Sequence, residues 1–435
     1  MMWLLNGIYS ILLGALSPVI LWRAFRHGRY RRGWPEKFFG NLPTSTSGVP
    51  AVWFHAVSVG EVIQLQKVVE QFRKATGDRF RIVVTTSTDT GYDLAISRFP
   101  DCCVTWFPLD FSWAASRALQ RINPVLVVLF ELELWPNFLI TCRRRAIPTA
   151  LINARISDRS YSGYRKIHWL VEPLFRGFAL AAAQTQEYAD RLRSLGVSPD
   201  RCRMTGSVKF DGVNCDRDNP TTQKLRALFG ISPGDQVLIA GSTQDPEEQM
   251  ALNAWRELQK THPHLKLILV PRHRERFDEV AAAVTGTGLP LLRRSRSSDS
   301  QFMRSDSSHE QVPDVILLDT IGELSACWGM ADIAFVGGSF GARGGQNMLE
   351  PAAYGAAVLF GPNTWNFRDI VSQLLSAGAA IQLKVPADFQ SQVGRLLNDT
   401  EFRQRLGQAA RSVVMSQQGA IDNTVRLLLT LLPKP

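Results

Sequence analysis

The chain is poor in the residues that staple or metallate a fold. Its 435 residues include six cysteines, Cys102, Cys103, Cys142, Cys202, Cys215 and Cys327, and none forms a Cys-x-x-Cys pair. That spacing argues against a zinc site and implies scattered, reduced thiols in a cytosolic setting. Zinc-finger spacing, a basic zipper and an aromatic RNA-binding motif are also missing, so no nucleic-acid partner is expected. No Gly-Lys-Ser/Thr follows any glycine turn, which removes a Walker loop. No short repeat period appears, and the one Asp-x-Asp, Asp216-Arg-Asp218, falls in a polar stretch unsuited to a metal-dependent transferase site. His262 and His264 stand without acidic company, so no bound metal is expected.

Charge is missing from one segment altogether. Met1 to Trp22 carries no charged side chain, and Arg23, Arg26, His27, Arg29, Arg31 and Arg32 follow at once. About 20 apolar residues span a bilayer as a helix, and the positive-inside rule places the basic cluster and everything after it in the cytoplasm. A signal peptide would carry its basic residues first. The segment 1–22 therefore reads as an uncleaved anchor at the cytoplasmic face of the inner membrane. It is either a single span or a helix lying in the interface, because Asn6, Gly7, Ser10 and Pro18 weaken a span. Arg23 to Phe39 alternates basic and aromatic residues, as a stretch touching phospholipid headgroups would.

The remainder is globular in composition: 45% hydrophobic and 20% charged, with 49 Lys and Arg against 39 Asp and Glu, a formal charge of +10. The excess suits an anionic partner. From Ala51, short β-rich runs alternate with helical stretches: Ala51–Val57, Ile82–Thr86, Val125–Phe130, Thr149–Ile152 and Leu180–Ala183. A second series is Val237–Ala240, Leu267–Val270, Val315–Leu318, Ile333–Val336 and Ala357–Phe360. Runs without strict alternation read as buried parallel strands, and the rhythm predicts an α/β fold of two Rossmann-like domains facing across a cleft. The expected boundaries are 23–212 for an N-terminal domain, 213–225 for a linker and 226–435 for a C-terminal domain, whose last helix is a candidate to cross back. The Ser-rich, charged stretch from Arg293 to Pro313 reads as a surface loop.

In such sheets ligands bind beyond the carboxyl ends of strands, and the distinctive loops lie there. His55-Ala-Val-Ser-Val-Gly-Glu61 opens a helix. Ser58-x-x-Glu61 has the spacing of a capping box, and the same carboxylate is a candidate general base. Glu131-Leu-Glu133 follows a buried run, so its two carboxylates share one face; pairing with Arg143–Arg145 is the structural alternative. Gly241-Ser242-Thr243-Gln244 offers small residues and N–H donors to a phosphate. Arg272 and His273 follow the next run, and Arg272 suits two-point phosphate pairing. Phe335 to Pro351 holds five glycines, Gly337, Gly338, Gly341, Gly344 and Gly345, then Gln346, Asn347 and Glu350. Glycines let a backbone approach a phosphate, and Glu350 is placed to grip ribose hydroxyls.

The ordered blocks HAVSVGEV, TTSTDTG, FPLD, ELELWPN, NARISDRS, TGSVKFD, AGSTQDPEE, VPRHRERF, GELSACWGMADIAFVGGSFGARGGQN and LEPAAYG resemble the bacterial 3-deoxy-D-manno-octulosonic acid (Kdo) transferase family, from the anchor to about Ile370. The resemblance implies a GT-B glycosyltransferase of lipopolysaccharide synthesis. Its donor would be CMP-Kdo and its acceptor a glucosamine hydroxyl of a lipid A precursor (lipid IVA), with inversion, without a metal and without a cofactor. It implies Glu61 as general base and Glu133 as a second acidic residue. Ser242, Thr243, Arg272, His273, Gly337, Gly338, Gly344, Gly345, Asn347 and Glu350 fall on the donor side, and Lys209 lies near the cleft. The family usually has His where this chain has Gln244 and Gln346, and glutamine carries no proton at neutral pH. A sugar-nucleotide epimerase of the same fold, a transferase with an altered donor and an inactive membrane scaffold are the alternatives.

Overall fold

Runs of Val, Ile, Leu and Ala bounded by turn residues pair side by side as parallel strands, and helices cover both faces. The computed structural model describes residues 2–27, 32–44, 48–297 and 312–433. Arg29, Arg31 and residues 298–311 of the Ser-rich stretch lie outside them. The chain divides into two compact units, Met1–Gly212 with Gln417–Pro435, and Val213–Ser416.

The first unit holds β1 (Ala51–His55), β2 (Arg81–Thr86), β3 (Cys103–Trp106), β4 (Pro124–Phe130), β5 (Thr149–Ala154), β6 (Leu180–Ala183) and β7 (Cys202–Met204). They form one sheet in the order β3-β2-β1-β4-β5-β6-β7. Alternate residues feed two cores. Trp53, Val127 and Leu129 face one, and Val52, Phe54, Leu126, Val128 and Phe130 the other. Burial on both faces explains why these strands read as unbroken apolar runs. The second core also takes Ala420, Ile421, Val425 and Leu428 from the helix Ala420–Leu429, which packs beside the helix Val59–Thr76.

The second unit holds β8 (Gln236–Thr243), β9 (Leu265–Pro271), β10 (Leu291–Arg293), β11 (Val315–Leu317), β12 (Ile333–Val336), β13 (Ala357–Phe360) and β14 (Ala380–Gln382). Their order is β10-β11-β9-β8-β12-β13-β14, all pairs parallel. The helix Pro220–Leu228, capped by Asn219, precedes β8.

The chain crosses from one side of each sheet to the other between β1 and β4, and between β8 and β12. At these switch points successive loops splay apart and leave a crevice. His55 ends β1 beside Leu129 of β4, and Val336 ends β12 beside Gly241 of β8. Of the loops singled out from the sequence, those after β1, β4, β8 and β12 therefore leave the sheets at the two switch points, while Arg272 and His273 follow β9, the neighbour of β8.

Before β1 runs the helix Met2–His27, long and apolar enough to cross a membrane. Trp3, Leu4, Ile11, Trp22 and Phe25 are exposed along it. Farther along the basic stretch, Arg32 pairs with Asp93 at 2.7 Å, and Lys37 lies 3.7 Å from the Trp106 ring centre.

Candidate active site

At the switch point of the first unit, Ser58 caps the helix Val59–Thr76. Its hydroxyl accepts the Glu61 N–H at 3.3 Å and donates to Glu61 Oε1 at 2.7 Å, while Val57 N–H donates to Oε2 at 2.9 Å. A capping box is thus formed in variant form, with the N–H of Val57 in place of that of Ser58, and it fixes the Glu61 carboxylate in orientation. A carboxylate has about four acceptor positions, so capacity for a hydroxyl proton remains. Beneath the loop His55 is fully buried. Its Nδ1 lies 3.1 Å from the Thr85 carbonyl, which can only accept, so Nδ1 carries the proton. Its ring stacks on Phe107 at 3.8 Å. Burial pushes its pKa down to about 3, so the imidazole is neutral.

Glu131 and Glu133 leave β4 on the other side of this switch point, and Glu131 adopts φ 58°. Burial, then the charge of Glu61, then that of Glu131 push Glu133 up to about 7, with Trp135 opposing. Glu133 therefore feels Glu61 as a neighbour and holds a proton near neutrality. Arg145 donates to Ser116 at 3.1 Å, while Arg143 and Arg144 are exposed. Lys209 is exposed beside Val208, whose N–H donates to Asn153 Oδ1 at 3.2 Å.

In the second unit, Ser242 adopts φ 55° and Thr243 is buried at the end of β8. The Arg272 N–H donates to the Thr243 carbonyl at 3.0 Å, which sets Arg272 and His273 beside that turn with both side chains exposed. The residue that organises this switch point is one the sequence reading passed over. Glu247, 2% exposed, reaches from its helix to both loops. Oε2 accepts N–H from Gln244 at 2.9 Å and Gly338 at 2.7 Å, and Oε1 accepts from Ser339 at 3.0 Å and Phe340 at 3.2 Å. With two N–H donors on each oxygen, the ionised form, which has about four acceptor positions, fits this set without a proton to place. Burial pushes its pKa up, and the four donors pull it back.

This arrangement explains Gly337, where a Cβ would stand 2.6 Å from Thr243 Cα and 2.7 Å from Glu247 Oε2. It also means that the N–H of Gly338 is taken by Glu247, and that of Gly345 by the Gly338 carbonyl at 2.8 Å. Gly344, at φ 84°, lies under the Trp365 indole, where a Cβ would meet Nε1 at 2.3 Å. Asn347 donates to Glu350 Oε1 at 3.0 Å, and burial pushes Glu350 up. Gln346 is half-buried against Gly338. The signal for Glu247 lay in AGSTQDPEE, as an acidic residue opening a helix, but three of its four partners are 91 to 93 residues away.

Two Rossmann-like units in one chain, each with loops gathered at its switch point, define the GT-B fold, which by itself does not fix the reaction. A likeness in fold is the UDP-GlcNAc 2-epimerase of Neisseria meningitidis, TM-score 0.57 and 14% identity, covering 87% of this chain and 100% of that one. Residues 30–212 match the model of the 3-deoxy-D-manno-octulosonic-acid transferase (kdotransferase) family. The 3-deoxy-D-manno-octulosonic acid transferase of Haemophilus influenzae is 33% identical, covering 97% of each chain. That of Bordetella pertussis is 33% identical, covering 97% of this chain and 98% of its own. The chain belongs to the 3-deoxy-D-manno-octulosonic acid transferase family.

Proposed function

We propose that this enzyme moves Kdo from CMP-Kdo to a glucosamine hydroxyl of a lipid A precursor, in one inverting displacement without a metal. The observation that carries the reading is the carboxylate group at the β1/β4 switch point. There the capping box aims Glu61, and Glu133 is pushed up to about 7. Glu61 takes the acceptor's hydroxyl proton as the oxygen attacks the anomeric carbon, and CMP leaves. As Glu61 is neutralised, its repulsion, which adds to burial in raising the Glu133 pKa, falls away. Ser242, Thr243, Arg272, His273, Gly337, Gly338, Gly344, Gly345, Asn347 and Glu350 serve the donor, with Arg272 meeting the phosphate of the leaving CMP. Gln244 and Gln346 belong to the donor loops of the second unit, and Lys209 to the first unit.

The apolar helix holds the enzyme at the cytoplasmic face of the inner membrane among phospholipids. Asn6 and Tyr9 are bonded to the first unit, which supports a helix lying in the interface over one crossing the bilayer. The test is detergent-solubilised protein with CMP-Kdo and a tetraacylated lipid A precursor, followed by CMP release and product mass. Acceptor-dependent Kdo addition is expected. Its absence from folded protein would overturn the assignment and point to a changed donor.

A further inference from the structure

The apolar N-terminal helix carries two polar side chains that attachment to a membrane does not require. A polar group in a lipid-facing helix is costly, yet Asn6 is buried. Its amide nitrogen donates to Ser112 Oγ at 2.6 Å, and its oxygen accepts Ser112 N–H and Asn137 Nδ2, each at 3.0 Å. One turn on, the Tyr9 hydroxyl donates to Asp110 Oδ2 at 3.0 Å, and its ring stands edge-on to Phe111.

Asp110 is 6% exposed and is the hub of this group. Its Oδ1 accepts the Phe138 N–H at 2.8 Å and its Oδ2 the Asn137 N–H at 3.1 Å. Its main-chain carbonyl accepts Asn137 Nδ2 at 2.6 Å. Those two N–H groups belong to the first turn of the helix Pro136–Arg144, whose own flanking residue, Trp135, makes no side-chain cap. Asp110 therefore caps that helix from 27 residues away in sequence. Burial pushes its pKa up to about 6, opposed by the donors from Asn137, Phe138 and Tyr9. The capped helix starts three residues after Glu133.

We propose that Asn6, Tyr9 and Asp110 are positioning residues for Glu133: the seated N-terminal helix holds the start of the helix Pro136–Arg144, and through it the loop that carries the carboxylate to the switch point. The helix thereby serves the chemistry as well as attachment. This rests on the assignment of Glu61 and Glu133 to proton handling. A carboxylate displaced by about 1 Å can cost up to about 100-fold in rate, so one lost bond in the network is expected to cost about ten-fold.

The test uses the full chain in detergent, with CMP-Kdo and the acylated acceptor. Tyr9→Phe and Asn6→Ala break the network, and Ile11→Ser, on the exposed side of the helix, weakens attachment alone. The network variants should lose about ten-fold in kcat with little change in acceptor KM, whereas Ile11→Ser should raise KM and leave kcat unchanged. Hydrogen exchange over residues 131–144 should quicken in the network variants alone. If Tyr9→Phe and Asn6→Ala only raise KM, or leave that exchange unchanged, the proposal is overturned. Exchange needs no substrate, so wild-type protein without Kdo transfer, but with residues 131–144 still responding, would sink the activity reading and keep the coupling.

Discussion

Replacing Glu247 by glutamine tests whether one buried carboxylate holds the second unit's loops together. Each of its oxygens accepts two backbone N–H groups, at 2.7 to 3.2 Å. Whichever oxygen becomes the amide NH2, two N–H groups lose their acceptor and face a donor instead. Hydrogen bonds to a charged group are worth about 1.5–3 kcal/mol each, and orphaned buried donors cost about 1–3 kcal/mol. With partial rescue by water, the expected loss for Glu247→Gln is about 3 kcal/mol. Urea unfolding followed by tryptophan fluorescence measures it, and hydrogen exchange at Gly338, Ser339 and Phe340 assigns the change to the glycine loop. A loss below about 0.5 kcal/mol, the range of ordinary surface changes, with those amides still protected, would refute the reasoning.

Glu61→Ala should lower kcat by about 100-fold or more through the lost base, and should cost about 1 kcal/mol through the lost cap; CMP release at a near wild-type rate would remove Glu61 from the chemistry. Glu133 stands at about 7 in the fold against its usual 4.5, so between those values the folded chain keeps a proton that the unfolded chain has lost. Stability should then fall as pH rises from about 4.5 to about 7 and level off above, by linkage. Glu133→Gln should flatten that part of the slope, and denaturant titrations at pH 5 and pH 8 showing the same difference in both proteins would contradict the shift. Gly344→Ala places a Cβ at 2.3 Å from the Trp365 indole at φ 84°, and should lower stability by about 2 kcal/mol; an unchanged melting temperature would count against the contact. Kdo transfer should survive EDTA, and a loss restored by added Mg2+ would end the metal-free reading.

Ten strands were legible in the sequence, and the four not foreseen, β3, β7, β10 and β14, are the edges of the two sheets. They are three or four residues long and partly exposed. Interior strands are buried on both faces and leave an apolar run that can be read directly, whereas an edge strand need not. The capping box at Ser58 and Glu61 was equally legible, because its partners are three and four residues apart. Family membership also came from linear blocks. What the tertiary structure decided is what depends on sheet order. Glu61 and Glu133 come within electrostatic reach because β1 and β4 are neighbours. Glu247 meets the glycine loop because β8 lies beside β12, and Asp110 caps a helix it does not adjoin in sequence. Periodicity and spacing encode each residue's near neighbours along the chain, whereas the burial that shifts a carboxylate's pKa comes from elements that only folding brings together.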